Sequence, residues 1–241
     1  MKLSQKLHTL SPTLQRLSLA AMLGLSLTMA AGVASAGVIT TVATSNSGFG
    51  VSNTDLLNGR SGVVVGNINS EEGLQSNTTG TALTDGGFGR VAIDGAANPG
   101  MTIIHNNVSI TYMLAPSALG YDISKIDTFT GWRDAGRFYQ DYRVSFAYSA
   151  APAIFLNAFS IAAHPAAAND AKVSVFNNTG AALASRVVGV RFDFANVQNG
   201  FVGYRELDVF GAAVVPEPGS VLLFGLGALA LVAARRRSLR K

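Results

Sequence analysis

Four separate runs with an apolar residue at every second position leave this chain little choice but antiparallel sheet. Val108, Ile110 and Tyr112 alternate with Ser109 and Thr111; Tyr142, Val144, Phe146 and Tyr148 alternate with Arg143, Ser145 and Ala147. Val188, Val190, Phe192 and Phe194 alternate with Gly189, Arg191 and Asp193, and Leu207 and Val209 with Glu206, Asp208 and Phe210. Period two with one apolar face is the pattern of strands half-buried on a core, and a helix cannot use it. One face packed and one face polar is typical of antiparallel sheets.

Turn chemistry separates the runs. Asp85-Gly86, Asp94-Gly95, Asn98-Pro99-Gly100, Asp134-Ala135-Gly136, Asn178-Thr179-Gly180 and Asn199-Gly200 all favour reversals. From Gly37 to Gly80 the chain is rich in Gly, Ser, Asn and Thr, with Val63-Val64-Val65 as a short apolar run. This region reads as loops and short edge strands. The Ala-rich stretch around His164-Pro165-Ala166-Ala167-Ala168 reads as a short helix or a loop. Many strands with such turns predict an all-β antiparallel β-sandwich, a jelly roll. There is no Cys, so the core is held by packing alone, and thiolate metal sites are excluded.

The two ends differ from the middle. Lys2, Lys6 and Arg16 precede an apolar stretch from Leu19 to Val33, and Ala34-Ser35-Ala36 follows. Basic flank, short apolar run and small-residue site predict a signal peptide over 1–36, cut by signal peptidase between Ala36 and Gly37. At the other end Pro216-Glu217-Pro218 is followed by an uncharged apolar run and then by Arg235-Arg236-Arg237. The expected organisation is signal peptide 1–36, extracytoplasmic domain 37–214 and tail 215–241. Within the tail a transmembrane helix covers 220–234 and a basic cytoplasmic end covers 235–241. The helix is short for a bilayer, and arginines that snorkel extend its reach. The positive-inside rule keeps the arginines cytoplasmic and puts Pro216 to Pro218 outside the inner membrane.

Charge follows the same division. The chain carries 18 basic and 14 acidic residues, a formal +4. Eight of the basic residues lie in the targeting ends, leaving ten basic against fourteen acidic up to Glu217. The basic balance therefore belongs to the ends and excludes a nucleic-acid surface on the domain.

The tail, from Val215 onward, resembles the PEP-CTERM sorting signal of Gram-negative bacteria: Pro-Glu-Pro, apolar helix and arginine cluster stand in the same order. The resemblance implies recognition by exosortase, a membrane-embedded transpeptidase-like enzyme, and association with exopolysaccharide and biofilm matrix. It also implies that the inner membrane holds the chain only before processing, as in the GPI signal. The plainer reading is a permanent single-span anchor. Gly225-Leu226-Gly227-Ala228-Leu229-Ala230 matches a loose dinucleotide pattern, but no strand precedes it and no acidic ribose partner follows.

Residues 80–211 resemble the galactose-binding-like jelly roll (discoidin, or coagulation-factor C-type). The resemblance is carried by Asp85-Gly86, Ile123-Ser124-Lys125-Ile126, Tyr142-Arg143-Val144-Ser145-Phe146, Gly189-Val190-Arg191-Phe192 and Glu206-Leu207-Asp208-Val209-Phe210-Gly211. It implies the fold, while the family's aromatic ligand loops have no residue-by-residue match here.

Catalytic chemistry finds little support. His105 and His164 stand in no metal-ligand spacing. Gly59-Arg60-Ser61-Gly62 is not a nucleophile elbow. Scattered Asp residues fit turns better than a glycosidase pair. We expect no catalytic residues, no metal and no cofactor. The densest mixture of aromatic and hydrogen-bonding side chains is 131–142. There Trp132 and Tyr139 offer plates for sugar C–H faces, and Arg133 and Arg137 offer donors for hydroxyls or carboxylates. The plainer reading makes Trp132 a lid on the core. The expectation is a non-enzymatic, exported envelope or matrix protein with weak glycan binding. The alternatives are a purely structural or adhesive surface domain and, less favoured, a secreted polysaccharide hydrolase.

Overall fold

The computed structural model describes residues 37–69, 80–88, 101–132, 136–166, 168–215 and Gly227. The chain divides into units Met1–Ser35 and Ala36–Lys241, and every described residue lies in the second. The signal cleavage residues Ala34 and Ala36, the motif Pro216-Glu217-Pro218, the helix at 220–234 (Gly227 apart), Arg235 to Arg237 and Arg133 fall outside the described residues. Among the described residues no helix is long and apolar enough to cross a membrane.

The strands are β1 (Val38–Ser45), β2 (Val63–Val65), β3 (Ile68–Asn69), β4 (Thr102–Ile104), β5 (Val108–Met113), β6 (Tyr121–Gly131), β7 (Gln140–Tyr148), β8 (Ala151–Ala163), β9 (Asp170–Asn177), β10 (Ala184–Phe194) and β11 (Val202–Ala213). Within 37–215 helix is limited to 3-10 turns at Thr81–Leu83 and Gln198–Gly200 among the described residues. Residues 164–166, open to either reading, are loop, where Pro165 removes a backbone donor.

All pairings are antiparallel. They build two layers, ordered β8-β7-β10-β5-β2 and β1-β9-β6-β11-β4-β3, which a short ladder between β10 and β6 joins at Ala184↔Ile123 and Val187↔Tyr121. The expected antiparallel sandwich is therefore the fold found. The four alternating runs lie on β5, β7, β10 and β11, and their apolar members pack on the core with one exception: a register shift between Val187 and Gly189 turns Val187 inward in place of Val188. Ile110, Tyr112, Val144, Phe146, Val190 and Phe192 from the first layer meet Ile126, Val173, Val175, Leu207 and Val209 from the second.

Ile123 and Ile126 are both fully buried although they are three residues apart. Simple alternation would put them on opposite faces. A register shift lies between Lys125↔Phe210 and Ile123↔Gly211, and the extra residue in such a bulge returns the second isoleucine to the core.

A polar lock crosses the core at one end of the sandwich. Thr128 Oγ1 on β6 donates to Gln140 Oε1 on β7 and lies 2.9 Å from the Tyr142 hydroxyl. Gln140 Nε2 donates to Thr130 Oγ1 at 3.1 Å and to the carbonyls of Thr128 and Ala171, each at 3.3 Å. Gln140 is fully buried, so removing its amide strands partners on β6 and β9 of the facing layer. Gln140→Leu should destabilise the domain by about 2–3 kcal/mol in urea unfolding; a loss below about 0.5 kcal/mol would show that its partners are satisfied otherwise.

Candidate functional site

The end of β6 and the start of β7 carry the 131–142 corner. Trp132 N donates to the Asn169 carbonyl at 2.9 Å, which anchors the corner to the start of β9. The Trp132 ring is half-buried and meets Phe201 edge-on, with centroids 5.1 Å apart. The Arg137 guanidinium lies 4.3 Å from the Phe201 ring centre and 5.3 Å from that of Trp132. His105 reaches the same Phe201, at 5.9 Å. Trp132 and Arg137 thus come together as a cation–π stack, the Trp plate facing partners of its own chain. Phe201 completes this stack from beyond β10, and nothing near Trp132 in sequence announces it.

Tyr139 stands apart from that stack. Its ring lies parallel on the His164 imidazole, with centroids 4.5 Å apart. His164 Nε2 sits 2.9 Å from both carboxylate oxygens of buried Asp141. The corner therefore has two half-buried aromatic surfaces, Trp132–Arg137–Phe201 and Tyr139–His164–Asp141, on either side of Phe138. That residue is itself buried, and its N–H donates to Gln198 Oε1 at 3.1 Å. Such a surface can pack sugar C–H faces and bond hydroxyls.

Behind the corner sits a buried ion pair absent from the sequence expectations. Arg205 on β11, 1% exposed, places Nε 3.2 Å from Asp170 Oδ1 on β9. Its guanidinium also lies 4.7 Å from the Phe88 ring centre. Desolvation raises the Asp170 carboxyl and lowers the Arg205 guanidinium, with each group partly restored by the other's charge. Gly131 is required here, because a Cβ would collide with Asp170 Oδ1 and Arg205 Nε.

The outer face of the second layer carries an acidic group. Burial raises Glu206 to about 9 and Asp208 to about 7, with further like-charge pressure from Asp55 on both, Asp85 on Glu206 and Asp127 on Asp208. Gly86 N donates to Glu206 Oε1 at 3.1 Å and Ser52 N to Asp208 Oδ2 at 2.9 Å. Asp127 behaves oppositely: burial opposes its charge, but Lys172 and Lys125 at 2.8 and 2.9 Å hold its carboxyl low. Among the described residues no group of three or more His, Cys, Asp or Glu is arranged to hold a metal ion.

These features define a cysteine-free antiparallel sandwich with an aromatic, arginine-bearing surface corner. Residues 214–237 match the family model of the PEP-CTERM protein-sorting motif. The chain carries the sorting tail of an exported protein handled at the membrane of Gram-negative bacteria. No curated protein matches the chain. Similar solved structures include the family 32 carbohydrate-binding module of Clostridium perfringens NanJ in complex with galactose. It is 13% identical, with TM-score 0.39, over 62% of this chain and 98% of that one. The module CBM32-3 from a family 31 glycoside hydrolase of C. perfringens is 14% identical with TM-score 0.42, over 64% and 91%. A chitosan-binding module from a Paenibacillus sp. IK-5 chitosanase/glucanase is 10% identical with TM-score 0.38, over 65% and 98%.

Proposed function

We propose that this is a non-enzymatic component of the cell surface or biofilm matrix. Signal peptidase cuts it after Ala36, the tail holds it briefly in the inner membrane, and exosortase processes it at Pro216-Glu217-Pro218. The observation that carries this reading is the sorting motif at 214–237, which follows directly on the sandwich. The last strand ends at Ala213, and Val214 N donates to the Gly120 carbonyl at 2.9 Å. Two residues thus separate a hydrogen-bonded strand from Pro216, whose ring nitrogen has no hydrogen to donate to further pairing. At the other end Gly37 N donates to Asn178 Oδ1 at 3.1 Å, and β1 begins at Val38. Cleavage before Gly37 would leave every described strand intact.

Terminal-peptide and intact-mass spectrometry of the native protein tests the processing. The envelope protein should begin at Gly37 and lack the 220–241 segment. Deleting the exosortase, or Glu217→Ala, should leave that segment attached and the protein in the inner membrane. A tail equally present or equally absent in all strains defeats the sorting reading, and a tail present throughout means a permanent anchor.

The exported sandwich is proposed to bind exopolysaccharide weakly through Trp132, Arg133, Arg137 and Tyr139. The aromatic surfaces of the corner support this, with an affinity on the order of millimolar to tens of micromolar. Arg137 packs on two rings, so its truncation disturbs the corner as well as any ligand. Arg133→Ala should lower retention on the producer's own exopolysaccharide at an unchanged Tm, and Tyr139→Ala, which also unstacks His164, is read against its own Tm. Unchanged retention would leave the second reading, a purely structural or adhesive surface protein. That reading is favoured by β8, an uncharged 13-residue edge strand that exposes Ile154 and Leu156 at 58% and 55%. Such an edge invites contact with other chains.

A further inference from the structure

The outward side chains of the first layer form two cross-strand rows. Thr111, Arg191, Ser145 and Asn157 stand in register across β5, β10, β7 and β8, and Ser109, Asp193, Arg143 and Ser160 stand in register beside them. At one end of these rows lies a cavity of about 520 Å³, bounded by Arg143, Arg191, Asp193, Ser160, Asn107 and Asn196. Its walls are main chain tied across three strands. Asn107 N donates to the Phe194 carbonyl at 3.1 Å and Ala195 N to the Asp141 carbonyl at 3.0 Å. Asn107 and Asn196 both adopt positive φ, 62° and 47°, which asparagine tolerates better than most residues.

Charge within the cavity is uneven. Asp193 is spoken for: Arg191 bonds it through Nε at 2.7 Å and NH2 at 2.6 Å, and Ser109 donates to it. Burial opposes its charge, but these partners hold its carboxyl below the usual range. Arg143 reaches the same carboxylate only at 3.4 Å, through Nε and NH2, and is 53% exposed. Asp141, the other acid of the lining, is engaged by His164. One arginine is therefore held tightly, while the second, more exposed, makes only the longer contacts to that carboxylate and lines the cavity with its guanidinium. The amides of Asn107 and Asn196 and the hydroxyl of Ser160 have no side-chain hydrogen bond among the described residues and are exposed beside it.

We infer that this outer face is a second binding site, separate from the 131–142 corner, for a carboxylate-bearing sugar such as a uronate unit of an acidic polysaccharide. A forked guanidinium matches a carboxylate bidentately. Neighbouring amides and a hydroxyl suit ring hydroxyls, and the lining offers no exposed aromatic plate of the kind a neutral sugar prefers. Strand spacing of roughly 4.8 Å sets the interval between successive side chains along each row.

The inference is tested on the processed protein purified from the envelope, by calorimetric titration with oligogalacturonate and with a neutral glucan of equal length. Oligogalacturonate should bind and weaken with added salt, while the glucan should not compete. Arg143→Ala should weaken binding at least tenfold at an unchanged Tm, and Arg143→Lys should recover part of the loss. Tyr139→Ala, titrated beside it, reports on the corner. No binding of the acidic oligomer, equal binding of the glucan, or an Arg143→Ala protein that binds normally overturns the inference. Loss with Tyr139→Ala but not Arg143→Ala assigns the ligand to the corner, so this site can fail while the corner stands.

Discussion

Asp170→Ala should lower the stability of the exported domain by about 3–5 kcal/mol, because it leaves the Arg205 guanidinium buried without its carboxylate. Arg205 is 1% exposed and 3.2 Å from Asp170. The carboxylate's charge partly offsets the desolvation that lowers the guanidinium. For a domain of this size the loss corresponds to a Tm fall of roughly 10 °C or more. Arg205→Met should cost a similar amount by stranding Asp170, whose carboxyl desolvation already pushes up. The double variant Asp170→Leu, Arg205→Met should be far closer to wild type than either single change, since an apolar pair avoids both desolvation costs. Urea unfolding of the three variants checks this. Singles that lose less than about 1 kcal/mol would mean that water reaches the pair. The consequence extends to function, because Gly131 packs on this pair and Trp132 follows it. A single variant should therefore also loosen the corner proposed to meet glycan.

The sandwich was legible because four of its strands alternate apolar side chains toward the core. β5, β7, β10 and β11 each present one face to the core, and a two-residue period records that in local sequence. β8 left no such trace. It is an edge strand with register shifts between Val144/Ser145 and Ala147/Tyr148 of its partner, and its exposure follows no simple period. The outer face of β11 was misleading in a different way. Glu206 and Asp208 alternate with Leu207 and Val209 and so read as solvent-facing, yet they are 0% and 1% exposed. Loop residues near Ser52 and Gly86 fold over that face, a long-range cover that a local pattern cannot encode. The same holds for function. Arg143, Arg191 and Asp193 were read as outward positions, but only sheet register makes them neighbours. Trp132 stood out as the chain's single Trp, while the residues that occupy its surface, Phe201 and Arg137, are set by tertiary structure.

That covered acidic face gives the domain an uncommon response to pH: its stability should fall as pH rises from about 5 to about 9. Burial holds the Glu206 carboxyl up at about 9 against an ordinary 4.5, and that of Asp208 at about 7 against 3.8. Asp55 and Asp85 are pushed up as well, mainly by desolvation. Across this window the folded chain keeps protons that the unfolded chain has released. Unfolding then releases protons, and stability declines with rising pH until the folded groups ionise. Below about pH 4 the sign reverses, because Asp127 and Asp193 are held low by their cationic partners and lose those contacts on protonation. The optimum therefore lies near pH 4–5, on the acid side of most domains. Thermal unfolding in buffers of matched ionic strength should show a Tm fall of more than about 5 °C between pH 5 and pH 9. A chelator in the buffer keeps divalent cations from taking the protons' place. Glu206→Gln retains an oxygen for the Gly86 N–H but carries no charge, so it should flatten most of that slope and gain stability over wild type at pH 9. An equal slope in both proteins would move the burden away from Glu206, and a wild-type Tm that climbs from pH 5 to pH 8 would show that these carboxylates are ionised and solvated in the folded domain.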